Sequence, residues 1–243
     1  MALAVAPDHL ARSSSRPFAA VLFDIDGTLD DSVEMIVAGL SDMYERYTGV
    51  RPPIEWVREV MPMALTEQFK RFPGEAPSHD LVDEMTLYAI ERYEVHADLD
   101  RPFEAAVGAL CDLNDAGISV GVVTNKSAPE LDSFLARFPH AGCLGVAVCA
   151  SDVKSPKPAP DPILLAAARL GVDPGECLFI GDSRFDIAAG RAAGVTTVGV
   201  HYGSDTRAEL VAAQPDFLLG TPEELREWLA ARFAPAPLAQ DRP

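Results

Sequence analysis

Two aspartates close an apolar run near the start of the chain: Val21-Leu22-Phe23-Asp24-Ile25-Asp26-Gly27-Thr28. A carboxylate at the carboxyl end of a buried strand stands where open α/β sheets bind ligands. A second carboxylate two residues on points the same way if the chain keeps its extended pitch. Two close carboxylates repel, so they need a cation or a shared proton. That pairing suits a metal together with nucleophilic and acid/base chemistry. Taken alone, the pair also fits a plain strand end followed by a capping aspartate.

Three later segments carry polar groups at comparable places. Val120–Val123 is a second apolar run, and Thr124-Asn125-Lys126 follows it. Lys157 stands between prolines in Lys154-Ser155-Pro156-Lys157-Pro158-Ala159-Pro160-Asp161-Pro162. Cys177–Ile180 is a third run, ending in Gly181-Asp182-Ser183-Arg184-Phe185-Asp186. A hydroxyl and backbone N–H groups at Thr124 and Asn125 can hold phosphoryl oxygens as charge shifts onto them. Lys157 offers a compact positive charge, whereas Lys154 reads as a solvated loop residue. Lys126 and Arg184 stand near these motifs but could simply be exposed.

In this order the four segments resemble the signature motifs of the haloacid dehalogenase-like hydrolase superfamily, from about Phe18 to Phe233. The resemblance implies that Asp24 is a nucleophile forming an aspartyl-phosphate. It implies that Asp26 gives a proton to the leaving group and takes one from water. Thr124, Asn125 and Lys157 would bind the phosphoryl group, with Lys157 chosen over Lys154 on the family's Lys-Pro pattern. Magnesium prefers oxygen ligands and takes one or two carboxylates with substrate phosphate. Asp24, the backbone carbonyl of Asp26, and Asp182 would form its shell, with Asp186 as support behind them. Thr124-Asn125-Lys126 and Lys157–Pro162 are similar to the phosphoglycolate phosphatase branch, and pyrophosphatases and sugar phosphatases share them. The expected activity is hydrolysis of a small phosphorylated metabolite. The alternatives are a pyrophosphatase, a phosphomutase resembling β-phosphoglucomutase, and a catalytically silent binding module on the same fold.

The surrounding elements must position these groups. The half beyond Ile118 alternates strand and helix: strands at 118–123, 144–150, 177–180, 195–200 and 216–219, helices at 129–138, 162–170 and 183–193. Thr221-Pro222-Glu223-Glu224 opens a last helix, with a Thr cap, Pro at the first position and acids in the first turn. This rhythm predicts a Rossmann-like α/β fold, a parallel sheet with helices on both faces. Between the first two strands the rhythm breaks. Helical periodicity at 32–47, 55–61, 65–72 and 80–95 is separated by prolines 52, 53, 62, 73 and 77. The expected division is a core of 18–32 and 101–233, an all-helical cap of 33–100, and loose tails at 1–17 and 234–243. Relatives often have glycine in the cap loop facing the site, whereas this chain has Met61-Pro62-Met63-Ala64-Leu65.

Charge narrows the partners. A formal net charge of −17 disfavours nucleic acid and anionic membrane, which need a basic face. No apolar run reaches a membrane-spanning length. The start of the chain lacks the charged and apolar regions of a secretory signal. The four cysteines, Cys111, Cys143, Cys149 and Cys177, form no CxxC pair and read as free thiols of a reducing cytoplasm. The five histidines show no metal-ligand spacing. A cytoplasmic monomer or homodimer acting on a small phosphate ester is the resulting expectation.

Overall fold

The computed structural model describes residues 18–69, 71 and 78–233. The expected tails, 1–17 and 234–243, and the end of the helix expected at 65–72 lie outside the described residues. The chain opens with β1 (Ala20–Phe23) and a two-residue strand β2 (Asp30–Asp31). Helices α1 (Val33–Thr48), α2 (Ile54–Val60), α3 (Leu65–Phe69) and α4 (His79–Val95) follow. The chain returns through β3 (Arg101–Pro102). It then runs α5 (Glu104–Asp115), β4 (Ser119–Val123), α6 (Ala128–Arg137), β5 (Val146–Val148) and α7 (Asp161–Leu170). Next come β6 (Cys177–Gly181), α8 (Arg184–Ala193), β7 (Thr196–Val200), α9 (Arg207–Ala213), β8 (Phe217–Leu219) and α10 (Pro222–Phe233).

Six strands form one parallel sheet in the order β5-β4-β1-β6-β7-β8. Alternation along β1 sends Val21 and Phe23 to one face and Ala20 and Leu22 to the other. The first face packs under α5, α6 and α10, through Leu110, Phe134 and Leu229 among others. The second packs under α7 and α8, through Ile163, Ala167 and Ala189. Helices therefore cover both faces, as a parallel sheet requires. Chain direction across the sheet reverses between β1 and β6, so a crevice opens at the carboxyl ends of those two strands.

Helices α1–α4 close on a hydrophobic cluster of their own, built from Leu40, Met43, Tyr44, Val57, Phe69, Met85 and Ala89. The chain leaves and re-enters through β2 and β3, which pair antiparallel as Asp30 with Pro102 and Asp31 with Arg101. That ribbon was not expected, because two-residue strands carry no periodicity to read.

Other differences have simple causes. Only Val146–Val148 of the strand expected at 144–150 is extended; Ala141–Cys143 and Ala150–Asp152 are 3₁₀ turns flanking it. Helix α9 was also unforeseen; Thr206 and Glu209 form its capping box, but it has only seven residues and one buried side chain, Leu210.

Leu110 is fully buried in the layer beneath α5. Leu110→Ala is expected to cost about 2–5 kcal/mol through lost transfer energy and a residual cavity. Urea denaturation should show a lower midpoint at unchanged m. A loss below about 1 kcal/mol would contradict the packing of α5 on the sheet.

Candidate active site

Asp24, Thr124 and Asp182 each follow a strand end, and Lys157 comes from the loop before α7. Asp24 follows β1, and its N–H donates to the Ile180 carbonyl of β6 at 2.8 Å. The chain then turns through Gly27 at a φ of 73°, and the Gly27 N–H donates to the Asp30 carbonyl at 2.8 Å. A Cβ at Gly27 would fall 2.1 Å from Asp182 Oδ2, so only glycine lets these two loops approach. Thr124 follows β4, and its N–H bonds to the Val148 carbonyl at 2.9 Å. Asp182 follows β6, and Oδ2 accepts from the Ser204 N–H at 2.6 Å. Asp24, Asp26, Thr124, Asn125, Lys126, Lys157, Asp182, Ser183 and Ser204 line one narrow cavity of about 50 Å³.

One buried ammonium stands among three buried carboxylates. Lys157 Nζ donates to Asp186 Oδ1 at 2.7 Å and to the Val123 carbonyl at 3.1 Å. It also lies 2.9 Å from Asp24 Oδ1. That approach is a charge contact without hydrogen-bond alignment, so Asp24 Oδ1 is buried with no directed hydrogen bond. Burial by itself would lower the lysine, but Asp186 and then Asp24 outweigh it and hold it firmly charged. Asp186 is fully buried; Oδ2 accepts from the Ser183 N–H at 3.0 Å and sits 2.5 Å from Ser183 Oγ, closing the capping box of α8.

The acids outnumber the cation. Burial pushes Asp24 up to about 7 against the pull of Lys157, and Asp186 and Asp26 add to the rise. Asp182 is driven well above the ordinary carboxylate range by burial, then by Asp186 and Asp24. Carboxylate oxygens of Asp24, Asp182 and Asp186 lie within 4.8 Å of one another. With all three ionised, Lys157 offsets one charge and two negative charges remain. A divalent cation would neutralise that charge and give the orphaned Asp24 oxygen a partner. The donor set, all hard carboxylate oxygen, fits magnesium.

A second ion pair faces the helical side of the cavity. Asp26 Oδ1 is 2.8 Å from Lys126 Nζ and accepts from Ser32 Oγ at 2.7 Å. Burial lowers Lys126, but Asp26 and Glu130 outweigh it and raise its pKa. Lys126 is thus a buried member of the site, not an exposed neighbour. Arg184 is likewise tied down: its backbone N–H and guanidinium donate to the two oxygens of Asp205 at 2.6 and 2.7 Å. Lys154 is exposed, as expected.

Asn125 lines the cavity, yet its amide is spent on backbone. Nδ2 donates to the carbonyls of Pro62 and Lys157, both at 2.9 Å, and Oδ1 accepts from the Lys157 N–H at 3.0 Å. It therefore clips the lysine loop to the helical segment. Met61, Pro62, Met63, Leu65, Gln68, Tyr93 and Ile36 close the cavity from that segment. Gln68 is held by its own bond to the Met63 carbonyl at 2.9 Å and by the Tyr44 hydroxyl at 3.2 Å. Sequence reading did not single out Ser32, Gln68, Tyr93, Glu130 or Ser204. Only Lys126 carried a local signal, its place directly after a strand-end threonine and asparagine.

The model of the haloacid dehalogenase-like hydrolases matches residues 21–200. The chain belongs to that family. It is 34% identical over 208 residues to pyrophosphatase PpaX of Bacillus velezensis, covering 85% of this chain and 94% of that one. It is 32% identical over 226 residues to phosphoglycolate phosphatase of Salmonella choleraesuis, covering 84% and 90%. A solved haloacid dehalogenase-like hydrolase of Bacteroides fragilis superposes with a TM-score of 0.75 at 28% identity, covering 86% and 99%.

Asp30 gives a test of the charge balance. Burial, then Asp100 and Asp26, push it up to about 7 against Lys126 and Arg137. Its folded pKa exceeds the ordinary value of 3.8, so the folded state binds its proton more tightly. The stability this supplies is full below about pH 4 and is lost as pH rises through about 7. Asp30→Asn should lose less stability than the parent between pH 5 and pH 8 in urea titrations. Equal losses would show that Asp30 does not titrate there.

Proposed function

We propose that this hydrolase is a phosphatase that cleaves a small phosphate monoester, with Asp24 as nucleophile. The buried Asp24 oxygen without a hydrogen bond, facing the cavity beside Lys157 and Asp182, carries the reading. Held by Asp24, Asp182 and the carbonyl of Asp26, magnesium would supply charge neutralisation and polarise the phosphoryl oxygens. Asp186 anchors Lys157 from behind and holds its ammonium against Asp24. Thr124 and the adjacent N–H groups take the non-bridging oxygens. The Asn125 side chain fixes the lysine loop, which leaves its backbone N–H to the phosphoryl group.

The chemistry then divides between two carboxyls. Asp24 attacks phosphorus and its ester oxygen bond breaks, giving an aspartyl-phosphate. Asp26, oriented by Ser32 and Lys126, gives its proton to the departing alkoxide. The resulting carboxylate then takes a proton from the water that hydrolyses the intermediate, which returns Asp24. Residues 33–100 act as a cap whose apolar loop, Met61–Leu65, excludes bulk water and selects the alcohol portion. Such a lining favours a compact alcohol portion with apolar surface and does not suit the carboxylate of phosphoglycolate, and the pyrophosphatase-like and phosphoglycolate phosphatase-like kinship fits small phosphate compounds. The four cysteines are free, and among the described residues no helix is long and apolar enough to cross a membrane. Both fit a cytoplasmic enzyme.

Turnover of p-nitrophenyl phosphate should vanish in excess chelator and return with magnesium, while calcium, with its larger and looser shell, restores little. Full turnover in chelator would sink the mechanism. Asp182→Asn should raise the magnesium requirement while the far-ultraviolet circular dichroism stays unchanged.

The two carboxylates separate in a further pair of variants. Asp24→Asn should form no phosphoryl-enzyme. Asp26→Asn should slow turnover by about 10²–10⁴-fold yet accumulate the adduct from an activated aryl phosphate, whose leaving group needs little protonation. Quenched single-turnover mass spectrometry decides. An adduct on Asp24→Asn, or equal loss in both, would count against the assigned roles.

A further inference from the structure

A second cluster of ligating side chains lies away from the cavity. Cys111 comes from the latter half of α5. His140 precedes, and Cys143 ends, the 3₁₀ turn Ala141–Cys143 between α6 and β5. The turn leads into the start of β5, and the Gly145 N–H behind it bonds to the Val120 carbonyl at the start of β4. The cluster therefore sits at the amino edge of the sheet, opposite the phosphoryl site. Separation in sequence hides it: one ligand stands far upstream of the other two. The histidines show no ligand spacing among themselves, and it is the fold that supplies the third partner to the short His140-x-x-Cys143 pair.

We propose that Cys111, His140 and Cys143 form a binding site for a soft or borderline divalent metal such as Zn²⁺. One atom from each, two sulfurs and a ring nitrogen, lie within 4.8 Å of one another. Cys111 Sγ and His140 Nδ1 are 3.3 Å apart. Tetrahedral zinc, with bonds of about 2.3 Å to sulfur and about 2.05 Å to nitrogen, separates such atoms by about 3.6 Å. That one separation is close to the tetrahedral value, and the other two pairs lie within 4.8 Å. The 3₁₀ turn explains the pairing, since residues three apart eclipse on its surface.

The surroundings hold the ligands in place. The His140 ring meets the Phe138 ring edge-on at 5.8 Å, and Phe138 stacks on Phe134 at 5.0 Å. Cys111 and Cys143 are half-buried against the core beneath α5, whereas His140 is exposed. Such a site has dry walls and one wet side. Three protein ligands leave a fourth position for water, or for Asp115, which stands one helical turn beyond Cys111. Burial and then Cys143 push the Cys111 thiol up to about 11, so without a cation it is a protonated, weak nucleophile. A disulfide between the two cysteines would need an outside oxidant and would leave His140 without a role. A metal uses all three groups. It would tie α5 to the α6–β5 connection and brace the sheet from the edge that does no chemistry.

Cobalt substitution tests the site in the full chain, stripped by chelator and then held in excess magnesium to fill the acidic cluster. Cobalt(II) should bind with near-ultraviolet thiolate-to-metal charge transfer and intense visible bands of tetrahedral coordination, saturate at a single equivalent, and be bleached by Zn²⁺. Cys111→Ser and Cys143→Ser should each abolish the charge-transfer band. His140→Asn, at an exposed position that the fold does not depend on, should weaken cobalt binding by more than about tenfold. Zn²⁺ should raise the melting temperature of the parent and leave that of Cys143→Ser unmoved. Absence of thiolate charge transfer in the parent would overturn the proposal. So would its survival in a Cys111/Cys143 double serine variant, which would place the ligands at Cys149 or Cys177. Formation of a Cys111–Cys143 disulfide, seen as a mass loss of two hydrogens, together with no cobalt binding, would replace the metal site with a redox pair.

Discussion

Concentrated negative charge held out of water is the constraint on which the rest of the structure depends. Asp24, Asp182 and Asp186 are all buried, and the buried cation Lys157 pairs with Asp24 and Asp186. Buried charge is costly unless paired and hydrogen-bonded. The fold meets that demand with bonds from outside the cluster: Ser183 to Asp186, the Ser204 N–H to Asp182, the Val123 carbonyl to Lys157. What is left over is one Asp24 oxygen and a deficit of positive charge. That remainder fits the hard oxygen donors and the charge that a divalent cation takes.

Each supporting loop follows from this need. Gly27 has no side chain because the Asp182 carboxylate occupies the space where one would lie. Gly203 is small for the same reason; its Cβ would meet Asp182 Oδ2 at 2.3 Å and the Gly27 carbonyl at 2.3 Å. The lysine loop is rigid with proline and is clipped by Asn125 to Pro62, so positioning of Lys157 and placement of the helical segment share one side chain. Substrate selection and charge placement are thereby mechanically linked, although the residues involved lie in segments distant in sequence.

The helical segment has its own hydrophobic cluster and touches the site through a few apolar groups and two polar ones, Gln68 and Tyr93. Its contribution is shape and exclusion of water. The core supplies the charge.

The alternation of apolar strands with helices, the two carboxylates after β1, Thr124, Lys157 and Asp182 were all legible in the sequence. Strand-end chemistry is local, and a parallel sheet puts every strand end on the same edge. The helical segment was legible too, because long amphipathic periodicity is a local signal. The tertiary structure alone decided the rest. Lys126 became a buried partner of Asp26 because the helical segment covers it, and Asn125 became a clip because Pro62 comes within reach. Ser204 reached Asp182 from the loop after the neighbouring strand β7. The Cys111, His140 and Cys143 cluster exists only because α5 packs beside the turn before β5. Each of these depends on a distance between residues far apart in the chain, and residue order sets a spatial distance only within one element or one short turn.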